Sequence, residues 1–507
     1  MAAVKMPAGN CIRNRLTALL VISILTAGFY FFPIVSNRQS FLQPSFAGDG
    51  STHPWYSIPL CQDPKLFHAT VDLMSYSQGL KFLDNVREVN RGSFLNFPKF
   101  TFLSMDAHIG PISDTKYVLE ELGIRVLDRS LSGHCRFRNT CHNSSIPHPL
   151  SILGYSKNGY IEYGRKLYEA HKNDVQIQKV DAVLCFFPPS GCEVWKAFNK
   201  SLFVDAAFRF VGVDRDITKE RAEDLKLSIV NLTRSKRNFL ASTNMYDAEY
   251  LRHFTNLNVF PLLSTGQYLA KYFTPFKYAP KTKSNIVIAP QRLSEGGVRI
   301  AETLIEHARV AAPKISLSHW FGIEDQERMK SVSAFVAIPY SAHSFGLVEL
   351  KGMGVPVFFP SKRLLAAWIV DFTVMPERHH IVKRSNSSLL DPSPNSPHKS
   401  YDPGNDNDYA SVYHWIQFCD WYFWPVGFFD SWDDLLFKLE NANFELMAEK
   451  MRVFNNAHFE QAKLQWRCLI SRKLRNILPG ESSIPNSYEE GLALYEQETR
   501  LGGDMRT

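Results

Sequence analysis

The chain has 507 residues, of which 45% are hydrophobic, 13% aromatic and 21% charged, a globular composition that excludes collagen-like and low-complexity classes. That length leaves room for two or three domains with cores of their own. The net charge of +7, with no arginine-rich run, makes no case for nucleic acid but suits an anionic ligand such as a nucleotide diphosphate.

Leu16–Val35 is uncharged and almost wholly apolar, long enough to span a hydrocarbon core. Lys5, Arg13 and Arg15 precede it and only Arg38 follows closely. The positive-inside bias therefore predicts a cytosolic tail over 1–15, a transmembrane signal-anchor over 16–35, and everything beyond on the far side, in type II orientation. A cleaved signal peptide is the competing reading, with Ser45-Phe46-Ala47 as a weak cleavage site. Residues 36–60, rich in Ser, Pro and Gly, read as a stem. Four N-x-S/T triplets, at Asn143, Asn199, Asn231 and Asn386, agree with exposure to a secretory lumen. Cys11 would be cytosolic. Of the seven remaining cysteines, Cys135 with Cys141 and Cys185 with Cys192 are the local disulfide candidates. His134-Cys135 and Cys141-His142 match no standard zinc spacing.

Residues 61–270 read as a first α/β domain. A strand over 99–105, a turn Asp106–Pro111, a helix over Ser113–Leu122 and a strand from Ile124 make a βαβ unit. Asp106 and His108, whose imidazole titrates near neutrality, lie in that turn. Further strands are expected at 180–187, 201–204, 209–213, 238–244 and 258–263. Asp214-Arg215-Asp216 is a D-x-D triplet; such carboxylates suit a hard divalent cation, and they equally suit the cap of a following helix.

A polar linker over 266–284 precedes a second domain, residues 285–460. It opens with a strand at Asn285–Pro290, a loop with Arg292, and a helix from Val298 carrying Arg299. The helix N-terminus and the glycine amides beside Arg292 add positive potential suited to phosphate. A strand over 315–320 follows. Residues 333–361 then read as strand, loop, helix, strand. In such units ligands sit outside the carboxyl ends of the strands, and a carboxylate early in the helix can hold ribose hydroxyls. That selects Glu349, with Ser341, His343, Ser344, Phe345 and Gly346 before it. Residues 383–408 read as a mobile surface insertion, the aromatics of 413–432 chiefly as packing, and 461–507 as a closing helix and an uninformative polar tail.

Phe345-Gly346-Leu347-Val348, Glu349, Gly354 and Pro356-Val357 resemble the donor-binding signature of GT-B glycosyltransferases, E-x-F-G-L-V-x-x-E-A-M-A-x-G-x-P-V. The signature's first glutamate falls at Ser341 by simple spacing, and its helix here reads Glu349-Leu350-Lys351-Gly352-Met353-Gly354. His108–Pro111 resembles the H-x-x-P loop of inverting members, and Arg292-Leu293 with Gly296-Gly297 resembles in part their G-R-L-x-x-x-K-G start, without the lysine. A fainter layout resembles the N-acetylglucosaminyltransferase V type.

The resemblance implies an α/β fold of two Rossmann-like domains facing across a cleft, with acceptor on the first and nucleotide-sugar donor on the second. It implies transfer of a sugar to a glycan or glycoprotein hydroxyl by a single-pass Golgi enzyme. Glu349, Arg292, Arg299 and Ser341–Gly346 would bind donor; His108 would be the base if the configuration inverts, with Asp106 as its orienting carboxylate or substitute base. No cofactor is expected, and no metal, since basic groups and helix dipoles can stabilise the leaving diphosphate. Two alternatives stand: a glycan-binding protein on an inactive transferase fold, and a metal-dependent GT-A transferase using Asp214 and Asp216.

Overall fold

The computed structural model describes residues 100–106, 108–131, 157–187, 189–209, 217–269, 278–280, 285–289, 293–319, 331–378, 386–474 and 484–503. The predicted anchor and stem, the Cys135–Cys141 loop, Asp214, Asp216 and Arg292 lie outside them. Among the described residues no helix is long and apolar enough to cross a membrane.

The first half alternates strands and helices. Its elements are β1 (Thr101–Ser104), α1 (Ile109–Glu121), β2 (Arg125–Asp128), α2 (Lys157–His171), α3 (Val175–Gln178), β3 (Ala182–Cys185), β4 (Ser201–Ala206), α4 (Lys219–Leu232), β5 (Phe239–Ser242), α5 (Met245–Thr255) and β6 (Phe260–Pro261). The strands form a six-stranded sheet in the order β2-β1-β3-β4-β5-β6, and every pairing in it is parallel. β3 and β4 are buried along their whole length, as expected where helices cover both faces. Helix α1 begins at Ile109, so the second half of the predicted turn is its first winding. Pro111 is tolerated there because the first N–H groups of a helix have no intrahelical acceptor. Cys185 and Cys192 are joined, closing the loop after β3.

The second half holds β7 (Asn285–Ala289), α6 (Glu295–Ala311), β8 (Ser316–His319), β9 (Ala334–Ala337), α7 (Phe345–Gly352), β10 (Val357–Pro360), α8 (Lys362–Phe372), α9 (Tyr409–Ile416), β11 (Gly427–Phe429) and α10 (Trp432–Asn441). Its five-stranded parallel sheet runs β11-β10-β9-β7-β8. The α/β, two-parallel-sheet architecture expected from the sequence is therefore present.

Three readings are corrected. The insertion expected over 383–408, described from 386, does lie at the surface, but it is tied down: His398 Nε2 lies 2.8 Å from Glu249 Oε2 of α5, His253 Nδ1 lies 2.8 Å from Ser396 Oγ, and Asp406 pairs with a fully buried Arg378. Its polar composition serves buried hydrogen bonds. The closing helix, α11 (Phe444–Leu474), starts before 461 and crosses to the first half, where Trp466, Leu469 and Ile470 share a core cluster with Phe102 of β1. Last, the tail forms α12 (Tyr488–Gly503), held to the first half by Arg237 Nε donating to Glu498 at 2.9 Å and by the Tyr488 hydroxyl donating to the Ile161 carbonyl at 3.1 Å. All described residues fall in one compact unit.

Candidate active site between the two sheets

Both sheets reverse their strand order at one place, between β1 and β3 in the first half and between β7 and β9 in the second. Crevices outside the carboxyl ends of such strands are where open α/β sheets bind ligands.

In the first half, Asp106 stitches this mouth together. Its Oδ2 accepts the N–H groups of Phe186 and Phe187, just beyond β3, at 2.8 and 3.0 Å. Its Oδ1 accepts the His108 N–H at 3.1 Å. The carboxylate thus fixes the backbone that carries His108, and the orienting role proposed for it acts through main chain. His108 is the N-cap of α1, gives that helix no side-chain cap, and is half-buried. Its ring stands 5.6 Å from Phe187 and 5.5 Å from Phe345 of the second half. Beside Asp106 lies a pocket of about 430 Å³, open solvent included, walled by Met105, Tyr163, Leu167, Phe187 and Trp195.

In the second half, the loop after β9 delivers Ser341, His343 and Ser344, all buried. Arg209, fully buried just past β4, reaches across: it donates to Asp247 at 3.0 Å, to Ser341 Oγ at 3.4 Å and to the Glu377 carbonyl, with Phe208 packed on its face at 3.5 Å. His343 Nδ1 lies 3.3 Å from Asp420 Oδ2. Ser344 is the N-cap of α7 and, like His108, gives no side-chain cap. Phe345 is a knob in the first half's own core cluster. A Cβ at Gly110 would stand 2.7 Å from its ring, so a glycine at that point of α1 permits the approach. His108 and His343 thus both stand against one phenyl ring where the N-termini of α1 and α7 meet.

Glu349, on the second turn of α7, is half-buried and accepts the hydroxyl of Tyr268, which is 1% exposed. Gly346 is half-buried in the first turn. Arg299 is not brought to this mouth by any contact among the described residues: its guanidinium is 67% exposed and donates to Glu295 at 2.7 Å, its neighbour one turn back in α6.

Sequence reasoning missed the joint behind the mouth. Asp114 of α1 accepts Thr265 N–H, Thr265 hydroxyl and Gly266 N–H at 2.7, 2.8 and 2.8 Å. Lys351 of α7, fully buried, donates to the Ser264 carbonyl at 2.6 Å and lies 3.1 Å from His458 Nδ1 of α11. Burial pulls the Lys351 ammonium down to about 8 and pushes the Asp114 carboxyl up. Gly352 and Gly266 touch back to back, and a Cβ on either would strike the opposing backbone. Lys351 and Gly352 are thereby explained where the donor signature would have methionine and alanine. Their partners lie far off in sequence, which hid them.

No family model matches this chain, and no curated protein does. Among solved structures it is similar to a glycosyltransferase from Rickettsia africae ESF-5 at TM-score 0.40 and 11% identity, over 79% of this chain and 99% of that one. It is similar to the glycosyltransferase SnogD from Streptomyces nogalater at 0.36 and 11%, over 74% and 100%. A putative UDP-N-acetylglucosamine 2-epimerase from Listeria monocytogenes gives 0.31 and 12%, over 52% and 79%. Likeness this distant identifies neither activity nor substrate, and the two-sheet architecture stands on the strand pairings themselves.

Proposed function

We propose that this chain is a glycosyltransferase that moves a sugar from a nucleotide-sugar donor to a glycan or glycoprotein hydroxyl. One observation carries the reading: the carboxyl-end mouths of two separate parallel sheets meet, with the rings of His108 and His343 both against Phe345. Such a junction suits a reaction between two substrates, each held by its own half. The positive ends of α1 and α7 favour a diphosphate between them. Donor would lie against Ser341–Gly346, with Glu349 toward its hydroxyls and the undescribed Arg292 toward its phosphates. Acceptor would enter beside Asp106, where His108, its backbone fixed by that carboxylate, takes the hydroxyl proton if the reaction inverts. Metal independence, the Golgi lumen and the single-pass anchor belong to the same proposal, the last two resting on residues 16–35 and the N-x-S/T triplets.

Glu349→Ala tests the donor half. Losing a carboxylate that accepts donor hydroxyls should weaken donor binding by roughly 1.5–3 kcal/mol, tenfold or more. Donor affinity and turnover unchanged in that variant would remove Glu349 from the site.

A further inference from the structure

Three histidines tie the segment 386–408 to α5 of the first half, and their hydrogen bonds admit one arrangement of protons. Gln417 Nε2 donates to the His414 carbonyl at 2.8 Å, which turns its amide nitrogen toward His414 Nδ1, 3.3 Å away. An amide nitrogen can only donate, so that Nδ1 accepts and the His414 proton sits on Nε2. It points at His398 Nδ1, 3.1 Å away, which leaves the His398 proton on Nε2, 2.8 Å from Glu249 Oε2. The Ser396 hydroxyl oxygen accepts the His398 N–H at 3.1 Å, and its own proton faces His253 Nδ1 at 2.8 Å. His253 and His398 are buried, and His414 is half-buried with Tyr401 stacked on its ring at 4.0 Å. A second proton on His414 would point at the Gln417 amide, and one on His253 Nδ1 would displace the Ser396 hydroxyl proton.

The other charged and titratable groups around these rings are accounted for. Arg252 of α5 stands 3.8 Å from Glu249, and Asp402 accepts from Ser388 and Gly404. Tyr250 of α5 lies near Asp402. On α8, which packs against α9, Lys362 stands over Tyr422 and Arg363 beside Asp430. Burial first, then His398 and His414, oppose a charge on His253, while Asp402 favours it. Burial first, then His398, oppose a charge on His414.

We propose that these histidines form an acid-released clasp: protons taken up by His253 and His414 free the segment 386–408 from α5 and, through Asp406 and Arg378, loosen the Ser341 loop at the second mouth. The link is continuous. Asp406 pairs with Arg378, and the neighbouring Glu377 gives its N–H to the Tyr340 carbonyl at 3.2 Å and takes the Ser341 hydroxyl on its own carbonyl at 3.4 Å. The clasp does not require the transferase reading. While the segment is docked both histidines are held at about 4, against 6.5 once it is released. Between those values the released form binds more protons, so release is favoured as pH falls. From pH 7 to 5 that favours release by about 20-fold per histidine and roughly several hundredfold for the pair.

Hydrogen–deuterium exchange of the full chain at about pH 7, 6 and 5, corrected for the intrinsic exchange rate at each pH, reads the release. The Ser393 amide donates to the His253 carbonyl at 2.8 Å. Its protection should fall by at least about 20-fold between pH 7 and 5, while the amides of β4 keep theirs. The Glu377 amide should lose protection in step. His414→Gln keeps both hydrogen bonds without a titrating ring, and His253→Asn puts an oxygen where Nδ1 accepts. The double variant should hold its Ser393 protection within about threefold over the same range. Unchanged protection at Ser393 down to about pH 5, a fall equally large in the double variant, or a fall shared by β4 overturns the clasp. An unmoved Glu377 amide overturns its reach to the second mouth. If the double variant does not fold, His414→Gln alone decides, its loss of protection being smaller than that of the unaltered chain by about 20-fold.

Discussion

The two mouths share a strand order but are held differently. The first is closed by its own half: Asp106, two residues past β1, gathers N–H groups from the loops of β1 and β3. The second is held from elsewhere: Arg209 comes from the first half, and Asp420 from beyond the packed segment 386–408. A mouth fixed by its own loops keeps its shape alone. One fixed by distant groups has its shape only while the whole molecule is assembled, so damage far away should reach the second mouth, where donor is proposed to bind, first.

Arg209→Met should be the most costly change. It leaves Asp247 buried without its cation and frees the Ser341 loop, for a loss of about 3–5 kcal/mol in urea unfolding, with donor affinity falling too. Little change in donor affinity at that loss of stability would break the comparison. Asp106→Ala strands three backbone N–H groups and should cost roughly 2–4 kcal/mol, while donor affinity stays near that of the unaltered chain. Asp106→Asn, keeping one acceptor oxygen, should lose less. Gly352→Ala drives a methyl into Gly266 and should cost about 1–3 kcal/mol.

Acidity probes the same non-local packing with smaller effects. Burial holds His253 and His414 down to about 4, beneath the segment that follows Arg378. Between pH 6.5 and 4 the unfolded chain binds protons that the folded chain does not, so stability falls as pH drops through that window. His414→Phe should flatten part of the fall in urea midpoints. Lys351 gives the opposite end of the scale. Its folded ammonium titrates near 8 against 10.5 unfolded, so the unfolded chain holds more protons between the two, and stability rises with pH across that range. Lys351→Met should reduce the rise; burial also lowers Lys200 and Lys362, which keep the remainder.

Much of the scaffold is legible in the sequence because parallel strands announce themselves as short apolar runs between glycines and amphipathic helices. Phe102, Val183 and Phe335 are such residues, and their strands form within a residue or two of where they are expected. The self-contained mouth is legible for the same reason: Asp106 and His108 lie within four residues of β1. Arg209, Asp420 and Lys351 are not legible. Each matters through a partner more than thirty residues away, Asp247, Met245 and His458 among them, and nothing near an arginine or lysine in the chain says that it will be buried. Residues 386–408 mislead for the converse reason. Ser, Asn, Asp and His compose a free surface loop and one anchored by a few buried hydrogen bonds equally well, and Glu249, His253 and Arg378 decide between them.

The most direct measurement incubates the full chain with a panel of nucleotide sugars differing in base and sugar and follows release of nucleoside diphosphate, with and without a chelator. Release from one donor class, undiminished by chelator and lost in Glu349→Ala, is the predicted result. No release from any donor, with no rise in melting temperature on adding one, would contradict it.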